Sequence, residues 1–262
     1  MTHNELLEQI ERASEPVVVL TGPAGCGKTT AVLNIYRGMS GSDGSAACML
    51  LAPNAPACDH LRRRLLTEND TSTLVGAQVN TFFRLAAGIL AGSETAGKRI
   101  SPFQRHLVLA GIVDELFNAG KLKALGAVAD TPGLVVALDQ AIAELKRAAI
   151  DPEALAPAAG SGPAKERDLL EVYQCYQHRL QTGDMFDVEG QIWLARDRLA
   201  NHSGDLPGLD GVSMLIADGF TDFTPTQLEI LDLISRNNRR ILITLPLGDD
   251  RRDRMWFWTH RT

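Results

Sequence analysis

Four short apolar runs stand out along the chain, at residues 17–20, 47–52, 212–217 and 240–245. They are rich in Val, Ile, Leu or Met and lack the regular apolar–polar alternation of a half-exposed strand. Such runs predict strands buried on both faces, as in a parallel sheet covered by helices. Helical patterns follow the first three runs, so we predict an α/β fold with strand–helix–strand order.

The middle of the chain has a different pattern. Between residues 83 and 199, apolar residues recur at helical spacing, for example at Leu134, Leu138 and Ile142. We therefore predict a helical subdomain inserted into the sheet domain. Glycine and proline interrupt the pattern in three segments: residue 97, residues 131–133 and residues 157–163. The last is rich in Ala, Gly and Pro, and we predict a surface loop there.

These patterns divide the chain into three parts. Residues 1–84 are predicted to form the first part of the sheet domain, residues 85–205 the helical insertion, and residues 206–262 the second part of the sheet domain. A short amphipathic helix is predicted at residues 5–13, and a turn-rich connector at residues 38–45.

Charge limits the partners that the chain can bind by itself. The formal net charge is −6, from 26 Lys and Arg against 32 Asp and Glu, whereas a free-standing nucleic-acid-binding domain usually carries a basic excess. Any DNA contact must therefore be local or shared with a partner. The basic groups at residues 62–64 and 236–254 are equally consistent with solvated helix faces.

Neither a membrane span nor a secretory signal is evident. The polar, acidic first residues do not resemble a signal peptide, and no apolar run approaches the ~18 residues of a membrane span. The four cysteines are Cys26, Cys48, Cys58 and Cys175. Their spacing indicates neither a disulfide framework nor a zinc site. We predict a soluble cytoplasmic protein with reduced cysteines and no membrane partner.

A glycine-rich loop separates the first predicted strand from its helix. It matches G-x-x-x-x-G-K-[ST] with the residues Gly22, Pro23, Ala24, Gly25, Cys26, Gly27, Lys28 and Thr29. Glycines let successive backbone N–H groups approach phosphates, and the positive end of the following helix points at the same anion. Lys28 would reach the β- and γ-phosphates, and the Thr29 hydroxyl would bind Mg²⁺. A chance glycine turn is the alternative, but a buried strand before the motif and a helix after it favour a nucleoside triphosphate site from Gly22 to Thr30.

A second candidate residue ends the third predicted strand. Residues 214–217 are apolar, and Asp218 follows them. Magnesium–nucleotide sites usually take a carboxylate from the end of another sheet strand, so we expect Asp218 to hold Mg²⁺ together with Thr29. A capping aspartate after a strand is the alternative.

The segment from Asp218 resembles motif II of the superfamily 1 helicases related to UvrD, whose pattern is roughly D-E-x-Q-D-x-x-x-x-Q. Asp218, Asp222 and Gln227 fit, whereas Gly219 replaces the glutamate and Thr221 the glutamine. The resemblance implies a RecA-like P-loop NTPase domain with ATP and Mg²⁺ as ligands. The missing glutamate polarises the attacking water in those helicases. Because a positioned general base typically contributes ~10²–10⁴-fold, we expect hydrolysis to be slow or absent.

Where the segment departs from that pattern, its sequence is similar to that of the AddB-type subunits of AddAB helicase–nucleases. Residues 218–225 (DGFTDFTP) have the AddB form, residues 51–54 resemble motif Ia, and residues 79–86 resemble the TFxRLA motif that follows it. Weaker similarity continues through the helical region to residues 241–246. The resemblance implies an ATP-binding domain of a helicase–nuclease for double-strand-break repair and recombination, acting on single-stranded DNA with a motor subunit of the AddA type.

The same resemblance gives candidate DNA contacts. Two of them, Pro53 and Asn54, follow the second predicted strand. The other three, Thr81, Phe82 and Arg84, belong to the TFxRLA motif. An aromatic ring such as Phe82 could stack on a base, which is worth ~1–3 kcal/mol. A core residue at a strand–helix junction is an equally consistent interpretation.

Relatives of this type continue into a second motor-like domain and a nuclease domain with an iron–sulfur cluster. This sequence has neither and ends at residues 256–262, so we expect an N-terminal fragment or a truncated product. Three alternatives remain open: an active DNA-dependent ATPase with an unrecognised base, a small-molecule phosphotransferase, and an interaction module that binds no nucleotide.

Overall fold

A computed structural model describes residues 8–10, 12–39, 47–67, 77–91, 97–201 and 208–246. The helix predicted at residues 5–13 and the connector predicted at residues 38–45 lie partly outside this part of the chain, and residues 256–262 lie wholly outside it. Within it, no helix is long and apolar enough to cross a membrane.

The main sheet is parallel. In chain order the strands are β1 (Val17–Gly22), β2 (Cys48–Leu51), β3 (Val79–Asn80), β4 (Lys98–Arg99), β5 (Met185–Phe186), β6 (Met214–Ala217) and β7 (Arg240–Pro246). Five of them form one sheet in the order β1-β7-β6-β2-β3, and β4 pairs with β5 separately. The predicted α/β fold with a parallel sheet is confirmed. Strands β3, β4 and β5 escaped prediction because two residues are too few to show a periodicity.

Helices account for most of the remaining described residues. In chain order they are α1 (Lys28–Met39), α2 (Ala55–Thr67), α3 (Phe82–Leu90), α4 (Pro102–Asn118), α5 (Pro132–Arg147), α6 (Pro152–Ser161), α7 (Ala164–Thr182), α8 (Val188–Asn201) and α9 (Pro225–Arg236). The surface loop predicted at residues 157–163 is wrong for most of its length, because α6 runs through Pro157. Its alanines and its cap, Asp151 accepting from the Ala154 amide at 2.7 Å, favour the helix against the roughly 3 kcal/mol cost of an internal proline.

The central strands of the sheet are buried, and the edge strand is not. All residues of β2 and β6 are buried, as the apolar runs predicted. Strand β1 departs from the prediction of full burial, because Val17 and Val19 are 39% and 50% exposed. Val18 and Leu20 pack on the core. Strand β1 has a neighbour on one side only among the described strands, and its side chains alternate between exposed and partly buried.

The chain divides into two compact units. One unit comprises the described residues of Met1–Ala91, Ala195–Phe223 and Gln227–Thr262, and it contains the five-stranded sheet. The other comprises those of Gly92–Leu194 with Thr224–Thr226. The second unit has its own core, which includes Leu109, Ile112 and Tyr173. The predicted domain boundaries near residues 84 and 205 stay a prediction.

Candidate nucleotide site

The glycine-rich loop connects β1 to α1. Strand β1 ends at Gly22 and α1 begins at Lys28. Gly25 and Gly27 have φ angles of +80° and +93°, a region that residues with a side chain rarely adopt. Left-handed glycines just before a helix N-terminus allow backbone amides to converge on one anion. The local backbone is therefore compatible with phosphate binding.

The Lys28 ammonium lies against this loop. Its Nζ donates hydrogen bonds to the carbonyl oxygens of Gly22 at 2.7 Å and Pro23 at 2.8 Å, and lies 3.6 Å from Cys26 Sγ. These contacts hold the positive charge at the loop, where a bound phosphate would meet it. The role predicted for Lys28 stays a prediction, and its position is compatible with that role.

Thr29 and Asp218 meet although 189 positions separate them in the sequence. The Thr29 hydroxyl donates a hydrogen bond to Asp218 Oδ2 at 2.9 Å. Asp218 directly follows β6 and is 4% exposed, and its amide donates to the Leu51 carbonyl oxygen of the neighbouring strand at 2.9 Å. The fold thus brings together the two residues that the sequence assigned to a metal.

The separation of two oxygen atoms at this point is compatible with a shared magnesium ion. Octahedral Mg²⁺ with bonds of about 2.0–2.1 Å places neighbouring ligand oxygens about 2.9 Å apart. Thr29 Oγ1 and Asp218 Oδ2 have this separation. The described residues contain no group of three or more His, Cys, Asp or Glu that could hold a metal. A cation at Asp218 would therefore depend on phosphate and water for its other ligands, as is usual for Mg²⁺ bound with a nucleotide.

Sequence reasoning missed Thr244. Its hydroxyl donates a hydrogen bond to Asp218 Oδ1 at 2.6 Å and accepts one from the Gly219 amide at 3.4 Å. Strand β7 pairs with β6 so that Ile243 lies opposite Ala217, and this register places Thr244 beside Asp218. The sequence signal was a single hydroxyl residue in an otherwise apolar predicted strand. It indicates a role at this site only once β6 and β7 are known to be neighbours.

Gly219 occupies the position of the missing glutamate, and its backbone explains why glycine suits it. Its φ angle is +81°, so a side chain there would strain the backbone. A Cβ atom would have room, since its nearest heavy neighbour would be Pro53 Cδ at 3.8 Å. The residue that differs from the UvrD pattern therefore lies in a left-handed backbone conformation in this chain.

Arg64 links the basic segment of α2 to the loop helix. Its Nη2 donates to Thr30 Oγ1 at 3.0 Å, and its carbonyl oxygen accepts from Arg37 at 2.9 Å. Arg62, two residues earlier, donates instead to the Val79 carbonyl oxygen. Part of the basic cluster at residues 62–64 is therefore bound to its own fold, and Arg64 ends beside the last residue of the predicted phosphate loop.

The candidate DNA contacts follow the carboxyl ends of β2 and β3. Asn54 Oδ1 accepts from the Ala57 amide at 2.9 Å at the start of α2, and Thr81 Oγ1 accepts from the Arg84 amide at 3.3 Å at the start of α3. Pro53, Asn54 and Arg84 are exposed. Because all strands of this sheet are parallel, these residues and Asp218 lie at the same edge of the sheet, where ligands of open α/β sheets bind.

Phe82 differs from the other DNA candidates because it is 4% exposed. Its ring meets Phe220 and Phe223 edge-on, with centroids 5.6 and 6.2 Å away, and the latter two rings stack at 4.7 Å. This packing favours the interpretation of Phe82 as a core residue over stacking on a base. It also ties the segment after Asp218 to the start of α3.

Comparison with known proteins gives one consistent result. A relative in Carboxydothermus hydrogenoformans, named as a subunit of an ATP-dependent helicase/deoxyribonuclease, is 26% identical over 238 residues, which cover 89% of this chain and 21% of that protein. Relatives of the same name from Geobacillus thermodenitrificans and Pelotomaculum thermopropionicum are 27% and 28% identical, each over 86% of this chain and 20% of the relative. The chain thus spans about a fifth of the length of these relatives. The family described as ADDB, N-terminal matches residues 19–257, and the chain belongs to this family.

Proposed function

We propose that this chain binds ATP with Mg²⁺ in a RecA-like P-loop site of the UvrD type and serves as the ATP-binding region of an AddB-type helicase–nuclease subunit. The observation that carries this proposal is the 2.9 Å contact between Thr29 and Asp218. It joins the end of a glycine-rich loop to a carboxylate on a separate strand. Residues Gly22 to Thr30 would hold the phosphates, and Thr29 with Asp218 the metal.

Hydrolysis at this site is proposed to be weak. The position after Asp218 is a glycine with a left-handed backbone, so it cannot supply a base. The next carboxylate along the chain, Asp222, is exposed and accepts a hydrogen bond from Thr221 Oγ1 at 3.0 Å. Loss of a positioned general base typically costs ~10²–10⁴-fold in rate. Bound ATP would then act mainly as a structural or allosteric ligand.

DNA and a partner subunit complete the proposal. The relatives are named as one subunit of an ATP-dependent helicase/deoxyribonuclease, so we place this chain beside a motor subunit of the AddA type in cytoplasmic double-strand-break repair and recombination. Single-stranded DNA would cross the sheet edge near Pro53, Asn54, Thr81 and Arg84. Contacts to the DNA backbone suit the exposed polar side chains of Asn54 and Arg84 better than base stacking suits the buried Phe82.

The test is calorimetric titration of Mg-ATP into the wild-type chain and into Lys28→Ala. Hydrogen bonds to charged groups contribute about 1.5–3 kcal/mol, so the variant should bind at least about tenfold more weakly. Lys123→Ala is a matched control, because Lys123 also donates to a glycine carbonyl oxygen, that of Gly120 at 2.8 Å, but outside the loop. Its affinity for Mg-ATP should equal that of the wild type.

Steady-state ATPase assays with and without single-stranded DNA test the second part. We expect negligible turnover in both. Turnover at motor rates that DNA stimulates would overturn the proposal of weak hydrolysis and leave the nucleotide site intact. Absence of Mg-ATP binding by the wild-type chain would overturn the nucleotide site itself and favour an interaction module.

A further inference from the structure

Thr244 is a buried polar residue in an apolar strand. It is 2% exposed and follows Ile241, Leu242 and Ile243, which are also buried. A buried hydroxyl without partners would destabilise the fold, so such groups are almost always hydrogen-bonded. The partners of Thr244 are Asp218 and the Gly219 amide, which places this hydroxyl at the candidate metal site.

The two oxygens of the Asp218 carboxylate each accept a different hydroxyl. Thr244 donates to Oδ1 at 2.6 Å, and Thr29 donates to Oδ2 at 2.9 Å. Rotation of the carboxylate about its last side-chain bond would break both hydrogen bonds. Because Thr244 comes from a paired strand and is itself buried, it restricts that rotation and keeps Oδ2 directed at Thr29.

We propose that Thr244 is a positioning residue that sets the affinity of the nucleotide site for Mg²⁺. It orients the Asp218 carboxylate so that Oδ2, beside the Thr29 hydroxyl, meets the cation. The inference rests on the proposed function of the site and assigns it a residue outside the glycine-rich loop. Hydrogen-bond partners of metal ligands commonly act in this way, and their replacement typically lowers metal affinity 10–100-fold.

The experiment measures ATP binding to the 262-residue chain at a series of Mg²⁺ concentrations and in EDTA. Thr244→Val keeps the size and branching of the side chain and removes the hydroxyl. We expect the Mg²⁺ concentration for half-maximal enhancement of ATP binding to rise about tenfold or more. The affinity for metal-free ATP should stay within about twofold of the wild type, because the hydrogen bonds of the Thr244 hydroxyl in the described structure go to Asp218 and Gly219 and not to the glycine-rich loop.

Three further variants separate positioning from folding. Thr244→Ser retains the hydroxyl and should restore the Mg²⁺ dependence of the wild type. Thr244→Ala replaces the valine variant if the latter does not fold. Thr226→Val is a matched control, since Thr226 is also 2% exposed and its hydroxyl has no hydrogen-bond partner among the described residues.

The outcomes are distinct. An unchanged Mg²⁺ dependence in a folded Thr244→Val or Thr244→Ala variant would overturn the inference while leaving the proposed function in place. So would an equal loss of affinity with and without Mg²⁺, which would mean that Thr244 only supports the fold. If the wild-type chain bound no ATP under any condition, the proposed function and the inference would both be wrong.

Discussion

Two buried aspartates that directly follow strands have opposite surroundings in this molecule. Asp187 follows β5 in the helical unit and is 1% exposed, and Asp218 follows β6 in the sheet unit and is 4% exposed. Two cations, a tyrosine hydroxyl and a backbone amide surround the first. Hydroxyl groups contact both side-chain oxygens of the second. The first carboxylate is compensated by positive charge within its own unit, and the second is the one proposed to bind a cation.

Asp187 has its partners within its own unit. Its carboxylate accepts from Lys146 Nζ at 2.6 Å, Tyr176 Oη at 2.9 Å and the Gly190 amide at 2.6 Å, and Arg105 Nη1 lies 3.7 Å away. Burial alone would raise the pKa of Asp187, but the Lys146 ammonium and the Arg105 guanidinium hold it below its usual value. These contacts of Asp187 are structural, because they join α5, α7 and the start of α8.

The described residues provide no such counter-charge for Asp218. In the part of the chain that the structure describes, no Lys, Arg or His nitrogen lies within the 4.0 Å ion-pair distance of its carboxylate, and its side-chain contacts are the hydroxyls of Thr29 and Thr244. A buried carboxylate is costly without a compensating positive charge. Of these two aspartates, Asp218 is therefore the one that a bound cation would stabilise more.

The largest loss of stability is expected from Asp187→Asn. The variant leaves the Lys146 ammonium, whose side chain is 0% exposed, without its counter-charge. Removing one partner of a buried ion pair costs about 3–5 kcal/mol. We expect a loss of that size in the free energy of unfolding of the helical unit, measured by urea denaturation.

Asp218→Asn is the matched control for that measurement, because it changes the same residue type at the end of another strand. It should lower the free energy of unfolding by at most about 1 kcal/mol, the net value of a typical hydrogen bond. Equal losses in the two variants would mean that the two aspartates do not differ as proposed. The double variant Lys146→Met with Asp187→Leu should be more stable than Asp187→Asn, since it leaves no unpaired charge.

The sequence predicted one of these aspartates and missed the other, for a physical reason. Asp218 could be recognised because it directly follows an apolar predicted strand and begins a segment that resembles motif II of the UvrD-related helicases. Asp187 and Lys146 are 41 positions apart, and no local pattern requires them to meet. Ion pairs between elements depend on how helices pack, which apolar periodicity alone does not determine.

The same limit explains the other differences. Apolar runs predicted the four main strands correctly, but strand order decides which of them lies at an edge, so the exposure of Val17 and Val19 could not be predicted. Strand register decides that Thr244 lies beside Asp218. The burial of Phe82 depends on Phe220 and Phe223, which are more than 130 positions away in the sequence.

The second prediction uses the same Asp218→Asn variant and measures metal binding. The neutral amide has a smaller attraction for Mg²⁺, so the Mg²⁺ concentration for half-maximal enhancement of ATP binding should rise at least about tenfold, as expected for a metal ligand. Metal-free ATP should bind as tightly as before or more tightly, because a negative charge near the phosphates is removed. Calorimetry in EDTA and in Mg²⁺ checks both.

Asp232→Asn is the control for that experiment, because Asp232 is exposed and pairs with Arg236 on the surface of α9 at 2.7 Å. Its Mg²⁺ dependence should equal that of the wild type. If Asp218→Asn also behaved like the wild type, the 2.9 Å contact with Thr29 would have no part in metal binding.

The third prediction concerns pH. The pKa of Asp187 is lowered in the folded state, so this carboxylate contributes stability that is fully present above its unfolded pKa of about 3.9. That contribution is lost as the pH falls through the lower folded value. Below about pH 4 the wild-type chain should therefore lose stability more steeply than Asp187→Asn. Urea denaturation between pH 3 and pH 7 measures the slopes, and parallel curves would contradict the assignment of Asp187 as an ion-paired carboxylate.

The fourth prediction concerns Gly219 and the backbone that follows Asp218. Gly219→Ala should cost roughly 1–2 kcal/mol of stability, because φ is +81° and left-handed backbone is unfavourable for a residue with a side chain. Gly219→Asn should cost less, since asparagine tolerates this region. Urea denaturation checks the order, and equal stability of the alanine variant would show that the turn can change conformation without cost.

The backbone cost of any side chain at position 219 also determines how the effect of the missing glutamate on ATP hydrolysis can be tested. Gly219→Glu and Gly219→Gln impose the same backbone cost and nearly the same side-chain size, so a difference in ATP turnover between them reports the carboxylate alone. Faster turnover by the glutamate variant would mean that a general base is what the native site lacks. Equal turnover would mean that the left-handed turn after Asp218 directs the side chain away from the attacking water. The backbone as well as the residue type would then separate this site from that of an active helicase.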